Sequence, residues 1–142
     1  MTPQDNAQIV LDLYEAFNKR EIARAARTMM AGNLTWVSVP FGTRFHGPQG
    51  YRQFVSGWAT ALPDSRVEVT QVVVSGDCVA IEFTGRGTHT GPFRTPAGEI
   101  PPTGRAVELR ICEVLQLKDG KVVRGHTYFD STTVLRQLGL IP

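Results

Sequence analysis

The apolar pattern of this chain changes period once, at Pro63-Asp64. Before that point it is helical. Ile9, Val10, Leu13, Tyr14 and Phe17 mark an amphipathic helix over 3–19, opened by Thr2-Pro3-Gln4-Asp5 as cap, first-turn proline and acidic first turn. A second helix over 21–31 turns Ile22, Ala25, Ala26 and Met29 inward and stops at Gly32-Asn33. Leu34 to Val39 reads as a strand and 40–48 as a loop. Gly47-Pro48 opens a third helix that runs to Ala61. Beyond Pro63 the period is two. Arg66–Ser75, Cys78–Thr90, Arg105–Lys118 and Lys121–Asp130 are predicted strands, with hairpin turns at Gly76-Asp77 and Asp119-Gly120. Residues 92–104 form a Pro/Gly-rich loop, and 134–138 a short terminal helix. Helices followed by a run of strands predict an α+β fold, a curved sheet with helices packed on its concave face.

At 142 residues this is one domain, 1–142, able to bury a core. A net charge of +2 with no Lys/Arg run argues against a nucleic-acid surface. No basic-then-apolar leader and no membrane-length apolar stretch occur, so the expected location is cytoplasmic, with no membrane partner. Cys78 and Cys112 fall inside predicted strands and are expected as free, buried thiols. The His and Cys residues lack metal-ligand spacing, and neither a Walker A nor a dinucleotide glycine pattern occurs. No metal or organic cofactor is expected.

The last predicted strand carries His126, Tyr128 and Asp130 at alternate positions, hence on one face. If Asp119-Gly120 is a two-residue turn, Leu117 pairs with Val122, Glu113 lies opposite His126, Ile111 opposite Tyr128, and Leu109 opposite Asp130. One bulge would break this register. On the preceding strand Val79, Ile81, Phe83 and His89 share the core-facing parity. The expected pocket is therefore walled by Trp36, Phe54, Trp58, Phe83, Leu109 and Ile111 and furnished with Glu113, His126, Tyr128, His89 and Asp130. A carboxylate in such a place has its pKa raised, which suits Asp130 to the role of general base. The plainer reading is that Asp130 caps a helix starting at Ser131. His126 with Glu113 is an acid–base pair or a buried structural pair. His89 donates to a developing oxyanion, or is a satisfied core histidine. Tyr128 polarises a carbonyl, or packs. His126 and Asp130 stand roughly 13 Å apart on a straight strand, which favours an elongated substrate.

Several local motifs coincide: Tyr14 and Phe17 on the first helix, Phe45-His46-Gly47-Pro48, Trp58 with Leu62-Pro63-Asp64, Gly87-Thr88-His89-Thr90-Gly91, Pro101-Pro102-Thr103-Gly104-Arg105, and Asp119-Gly120-Lys121 leading to Asp130. In that order they resemble the SnoaL-like polyketide cyclases of the nuclear transport factor 2-like superfamily, which also contains ketosteroid isomerase. The resemblance implies a cone-like barrel with a deep pocket and a homodimer or higher oligomer formed through the outer sheet face. It also implies an Asp at the position of Asp130 acting as base. That base removes a proton next to a carbonyl, and a ring closes by intramolecular aldol addition without a cofactor. The expectation is thus a cofactor-independent enzyme for a small hydrophobic carbonyl compound, catalysing cyclisation or isomerisation. Two alternatives stand beside it. Epoxide-hydrolase-like water addition needs an Asp–Arg–Asp-like cluster, and the register puts Arg110 on the wrong face. A non-catalytic carrier or dimerisation module would bind without conversion. The proton-chemistry reading in this form requires Asp130 to be enclosed and Glu113 and His126 to share a face.

Overall fold

The computed structural model describes residues 2–142. Helix α1 spans Pro3–Asn18, α2 Ile22–Met29 and α3 Gly47–Ala61. Strands are β1 Met30–Ser38, β2 Thr43–His46, β3 Arg66–Ser75, β4 Cys78–Thr88, β5 Phe93–Thr95, β6 Gly98–Ile100, β7 Ala106–Lys118 and β8 Lys121–Tyr128, followed by α4 Ser131–Gln137. The start of α1 is fixed by a reciprocal cap. The Thr2 hydroxyl accepts from the Asp5 N–H at 3.1 Å, and the Thr2 N–H donates to the Asp5 carboxylate at 3.0 Å. Helix α3 begins with Pro48 in its first turn, where a missing N–H costs nothing.

A mixed six-stranded sheet has the order β2-β1-β8-β7-β4-β3, and β5 and β6 form a separate small hairpin. The β1–β8 pair is parallel and the other pairs are antiparallel. The sheet curves without closing. Leu13 and Tyr14 of α1 and Tyr51, Phe54 and Val55 of α3 are buried in one core with Trp36, Ile81, Phe83 and Leu115 from the sheet. The α+β cone expected from the sequence is therefore the fold observed. No helix among the described residues is long and apolar enough to cross a membrane.

Several local expectations need correction. The segment 40–48 is not all loop, because Thr43–His46 pairs with β1 across a turn made by Val39–Phe41 and Gly42. Gly32-Asn33 does not stop α2; Met30 onward is already strand. The loop 92–104 contains the β5–β6 hairpin. Cys78 is exposed and Cys112 half-buried, because both lie on the outer parity of their strands.

The main correction is register. The turn is as expected, with Asp119 and Gly120 both at positive φ, Lys118 opposite Lys121 and Leu117 opposite Val122. Then Gln116 pairs with Arg124, leaving Val123 unpaired as a bulge. From there the phase of β8 is inverted. Glu113 faces Thr127, Val114 faces His126, and Cys112 faces Tyr128. Asp130 lies beyond the strand and has no partner in it.

The inverted phase brings Gly125 under the Trp36 indole. A Cβ at Gly125 would sit well inside van der Waals contact of the Trp36 six-membered ring. Gly125→Ala is therefore expected to lower stability by about 1–3 kcal/mol through overpacking, read as a lower urea midpoint at unchanged slope.

Candidate functional site

Between the helices and the sheet lies an inner cavity of about 80 Å³. Its wall is aromatic and aliphatic, with Tyr14 and Phe17 from α1, Tyr51, Phe54 and Trp58 from α3, Trp36, Phe83 and Ile111 from the sheet, and Phe129. The polar groups in this wall are Glu113, Thr127 and the two tyrosine hydroxyls, with the Trp36 indole N–H beside them.

Glu113 is held from two sides. The Tyr14 hydroxyl donates to Oε1 at 2.6 Å, and the Thr127 hydroxyl donates to Oε2 at 2.6 Å. The Trp36 indole N–H donates to Thr127 Oγ1 at 2.8 Å. An indole N–H is only a donor, so it occupies an acceptor site on Thr127 and leaves that hydroxyl's proton for the carboxylate. Indole, hydroxyl and carboxylate thus form a directed chain. Tyr51 also lines the cavity, its ring 5.1 Å from that of Trp36.

Burial dominates the electrostatics. It raises Glu113 from 4.5 to about 7, against the pull of the Thr127 and Tyr14 hydrogen bonds. Burial and the nearby Glu113 charge drive the Tyr14 and Tyr51 phenols well above their usual range. Near neutral pH the site therefore holds neutral phenol donors around a carboxyl group poised to gain or lose a proton.

The residues singled out in the sequence scatter. Trp36, Phe54, Trp58, Phe83, Ile111 and Glu113 stand around the cavity. Leu109 is buried in a second cluster with Phe93, Val107, Val134 and Leu138. His126 and Tyr128 are on the outer face, their rings stacked at 6.3 Å, and Tyr128 is 43% exposed. His126 therefore cannot pair with Glu113. His89 is 1% exposed but is not in the cavity wall. Its Nδ1 accepts from the Thr103 N–H at 3.2 Å, and its backbone pairs with Gly104 and Arg105. It ties the Pro101–Arg105 segment to the sheet. Burial lowers its pKa, opposed by the Gly91 carbonyl.

Asp130 is exposed, not enclosed. It caps α4, accepting from the Thr132 N–H at 2.9 Å and from the Thr133 N–H and hydroxyl at 3.4 and 3.0 Å. The Thr133 side-chain and backbone bonds hold its pKa below the usual carboxylate value, the opposite of the expected direction. Asp130 and Arg110 line an open groove of about 550 Å³, separated from the cavity by Phe83, Ile111 and Phe129. No arginine is among the described residues that line the cavity. Thr127 is not legible as a site residue on an unbulged strand, and Tyr14 is legible only as part of the apolar face of the first helix and of the family motif.

On the other side of Phe54 and Trp58 lies a surface cleft of about 1020 Å³, bounded by Ser38, Phe41, Phe45 and Phe93. Phe41, Trp58, Phe93 and Phe129 form a ring-to-ring cluster, with centroid separations of 5.1–6.1 Å.

A sheet cone with a helix-roofed interior acid is the architecture of a small-molecule-binding α+β domain. A model of the SnoaL-like polyketide cyclase family matches residues 8–138, and the chain belongs to that family. Among solved structures it is similar to a SnoaL-like candidate polyketide cyclase from Jannaschia sp. CCS1, at TM-score 0.85 and 22% identity over 99% of this chain and 96% of that one. AclR, a candidate hydroxylase from Streptomyces galilaeus, gives TM-score 0.83 and 23% identity over 99% and 89%. IdmH, a candidate polyketide cyclase from Streptomyces antibioticus, gives 0.78 and 28% over 94% and 98%. A comparison with curated protein sequences finds no match.

The position of Glu113 makes stability depend on pH. Its folded pKa of about 7 lies above the ordinary 4.5, so the folded state holds the proton longer than the unfolded one. The associated stabilisation is fully present below pH 4.5 and is lost as pH rises to about 7. At about 1.4 kcal/mol per pH unit this amounts to about 3 kcal/mol. In Glu113→Gln that slope is expected to vanish. The variant's unfolding free energy relative to wild type should rise by this order between those pH values, as measured by urea titration.

Proposed function

We propose that this protein is a cofactor-independent enzyme that uses Glu113 to move a proton next to a carbonyl of a hydrophobic compound, leading to cyclisation. The observation that carries this reading is a buried carboxyl group in an apolar cavity whose pKa is lifted to about 7. A base works best when its pKa lies near the working pH. Glu113 takes the role the family resemblance suggested for Asp130, which is committed to capping α4.

In the proposed step, Glu113 takes the proton from the carbon beside a carbonyl, and the C–H electron pair moves into the enolate. The hydroxyl of Tyr51, which lines the cavity together with Glu113, donates to the enolate oxygen. The enolate carbon then attacks a second carbonyl of the same molecule, forming the ring bond. The resulting alkoxide regains the proton from Glu113, so the overall reaction is an isomerisation by aldol addition. Tyr14 and Thr127 position the carboxylate. The cavity alone is smaller than an ordinary small-molecule site. The substrate body therefore rests in the outer cleft, and its reacting end passes Phe54 and Trp58, the side chains shared by both spaces.

The test is exchange of the α-protons of 2-tetralone in D2O, followed by NMR. Wild type should catalyse exchange at a rate that climbs about tenfold per pH unit and levels off above about pH 7. Glu113→Gln should reduce it by at least about 100-fold while remaining folded, and Asp130→Asn should retain it. Exchange that survives Glu113→Gln and is lost in Asp130→Asn would reverse the assignment. Binding of the ketone by wild type without any exchange would favour a carrier.

A further inference from the structure

We infer that Ser38 reads the substrate: its hydroxyl hydrogen-bonds an oxygen on a flat aromatic ligand in the outer cleft, selecting compounds with an oxygen at the end of the ring system remote from the reacting carbon. This deepens the reading above and rests on Glu113 marking the reacting end.

Ser38 is 3% exposed, and its Oγ has no hydrogen-bond partner among the described residues. Buried hydroxyls are nearly always paired, and leaving one unpaired destabilises a fold. Nothing in the packing here uses this hydroxyl, so an alanine would serve the fold as well. The residue is nevertheless part of the cleft wall, beside Phe41, Trp58 and Phe93. Those rings offer apolar faces and edges that suit a planar aromatic body. A single hydroxyl among them is both donor and acceptor, so it reads a phenol or a carbonyl oxygen.

Register supplies the distance. Ser38 pairs with Thr127 across β1 and β8, and Thr127 pairs with Glu113 across β8 and β7. The three are buried and occupy one row on the inner face of the sheet. Two strand spacings separate the ends of the row, roughly 10 Å between backbones. Allowing for a hydrogen bond at each end, a skeleton of two fused rings bridges it. Trp58 borders both cleft and cavity, so such a ligand would run past the indole.

The experiment compares 2-tetralone with 6-hydroxy-2-tetralone, titrated into wild type, Ser38→Ala and Glu113→Gln and followed by quenching of tryptophan fluorescence. Wild type should bind the hydroxylated ketone about 5- to 10-fold more tightly. Ser38→Ala should erase that preference while leaving 2-tetralone affinity within about twofold, and its urea midpoint should equal or exceed that of wild type. Glu113→Gln should keep the preference, which separates this reading from the assignment of the base. Loss of preference in Ser38→Ala supports the Ser38 subsite even where exchange survives Glu113→Gln. Equal affinity of wild type for both ketones, binding of neither, a preference that persists in Ser38→Ala, or a clear loss of stability in that variant would each overturn it.

Discussion

One unpaired residue, Val123, sets the phase of the strand on which the interior depends. Side chains alternate along a strand, so a single extra residue exchanges the two faces from that point on. Before the bulge, Val122 faces Leu117 inside the cone. An unbulged continuation would carry Arg124 inward next, beside Leu115, and bury a guanidinium in a wholly apolar place. The bulge returns Arg124 to solvent and turns Gly125, Thr127 and Phe129 inward. Gly125 leaves room for the Trp36 ring, Trp36 reaches Thr127, and Thr127 reaches Glu113. The cavity's polar chain is a consequence of that one irregularity.

Two carboxylates in and just beyond this strand pair are pushed in opposite directions. Asp130 accepts N–H and O–H groups at a helix start in water, which favours its charge. Glu113 also accepts two strong hydrogen bonds, but it has lost its hydration, and the lost hydration outweighs them. Hydrogen bonding alone therefore does not distinguish a carboxylate held charged from one poised to gain a proton near neutral pH. What distinguishes them is whether the surrounding volume is water or hydrocarbon. The sequence offers little guide to that, since Glu113 follows Ile111-Cys112 and Asp130 follows Tyr128-Phe129, both apolar pairs.

Periodicity and turn chemistry made much of the fold legible. The helices at Pro3–Asn18 and Gly47–Ala61, the strands at Arg66–Ser75 and Cys78–Thr88, and the Asp119-Gly120 turn follow from local rules of capping and alternation. The core-facing parity of Val79, Ile81 and Phe83 was equally readable. Strand β2 was hidden because Pro40 and Gly42 dominate its neighbourhood and it is only Thr43–His46 long. The site was half legible. Its aromatic wall and Glu113 stood out, but the partners of Glu113 depended on register. A bulge leaves no residue signature when the extra position is Val123 beside Val122, both equally at home in a strand. The available signal was negative: the simple register demanded an inward Arg124, and a charge without a partner in the core is itself an argument for a slip.

The buried polar groups of this domain sort by what would fail without them. Asn6 donates from its side chain to the Gly76 carbonyl at 3.3 Å, and His89 anchors the Thr103 loop; removing either would leave backbone groups unanswered. Thr127 relays between Trp36 and Glu113, so it belongs to the fold and the site together. Ser38 differs from all of these, because no internal group depends on its hydroxyl. A fold that hosts many chemistries on one scaffold has to vary its selectivity without disturbing its packing. Positions of the Ser38 kind, buried in a cleft wall but idle in the fold, are where such variation costs least. Glu113 is the opposite case: its charge state is coupled to the stability of the whole cone, so the proposed base and the fold constrain each other.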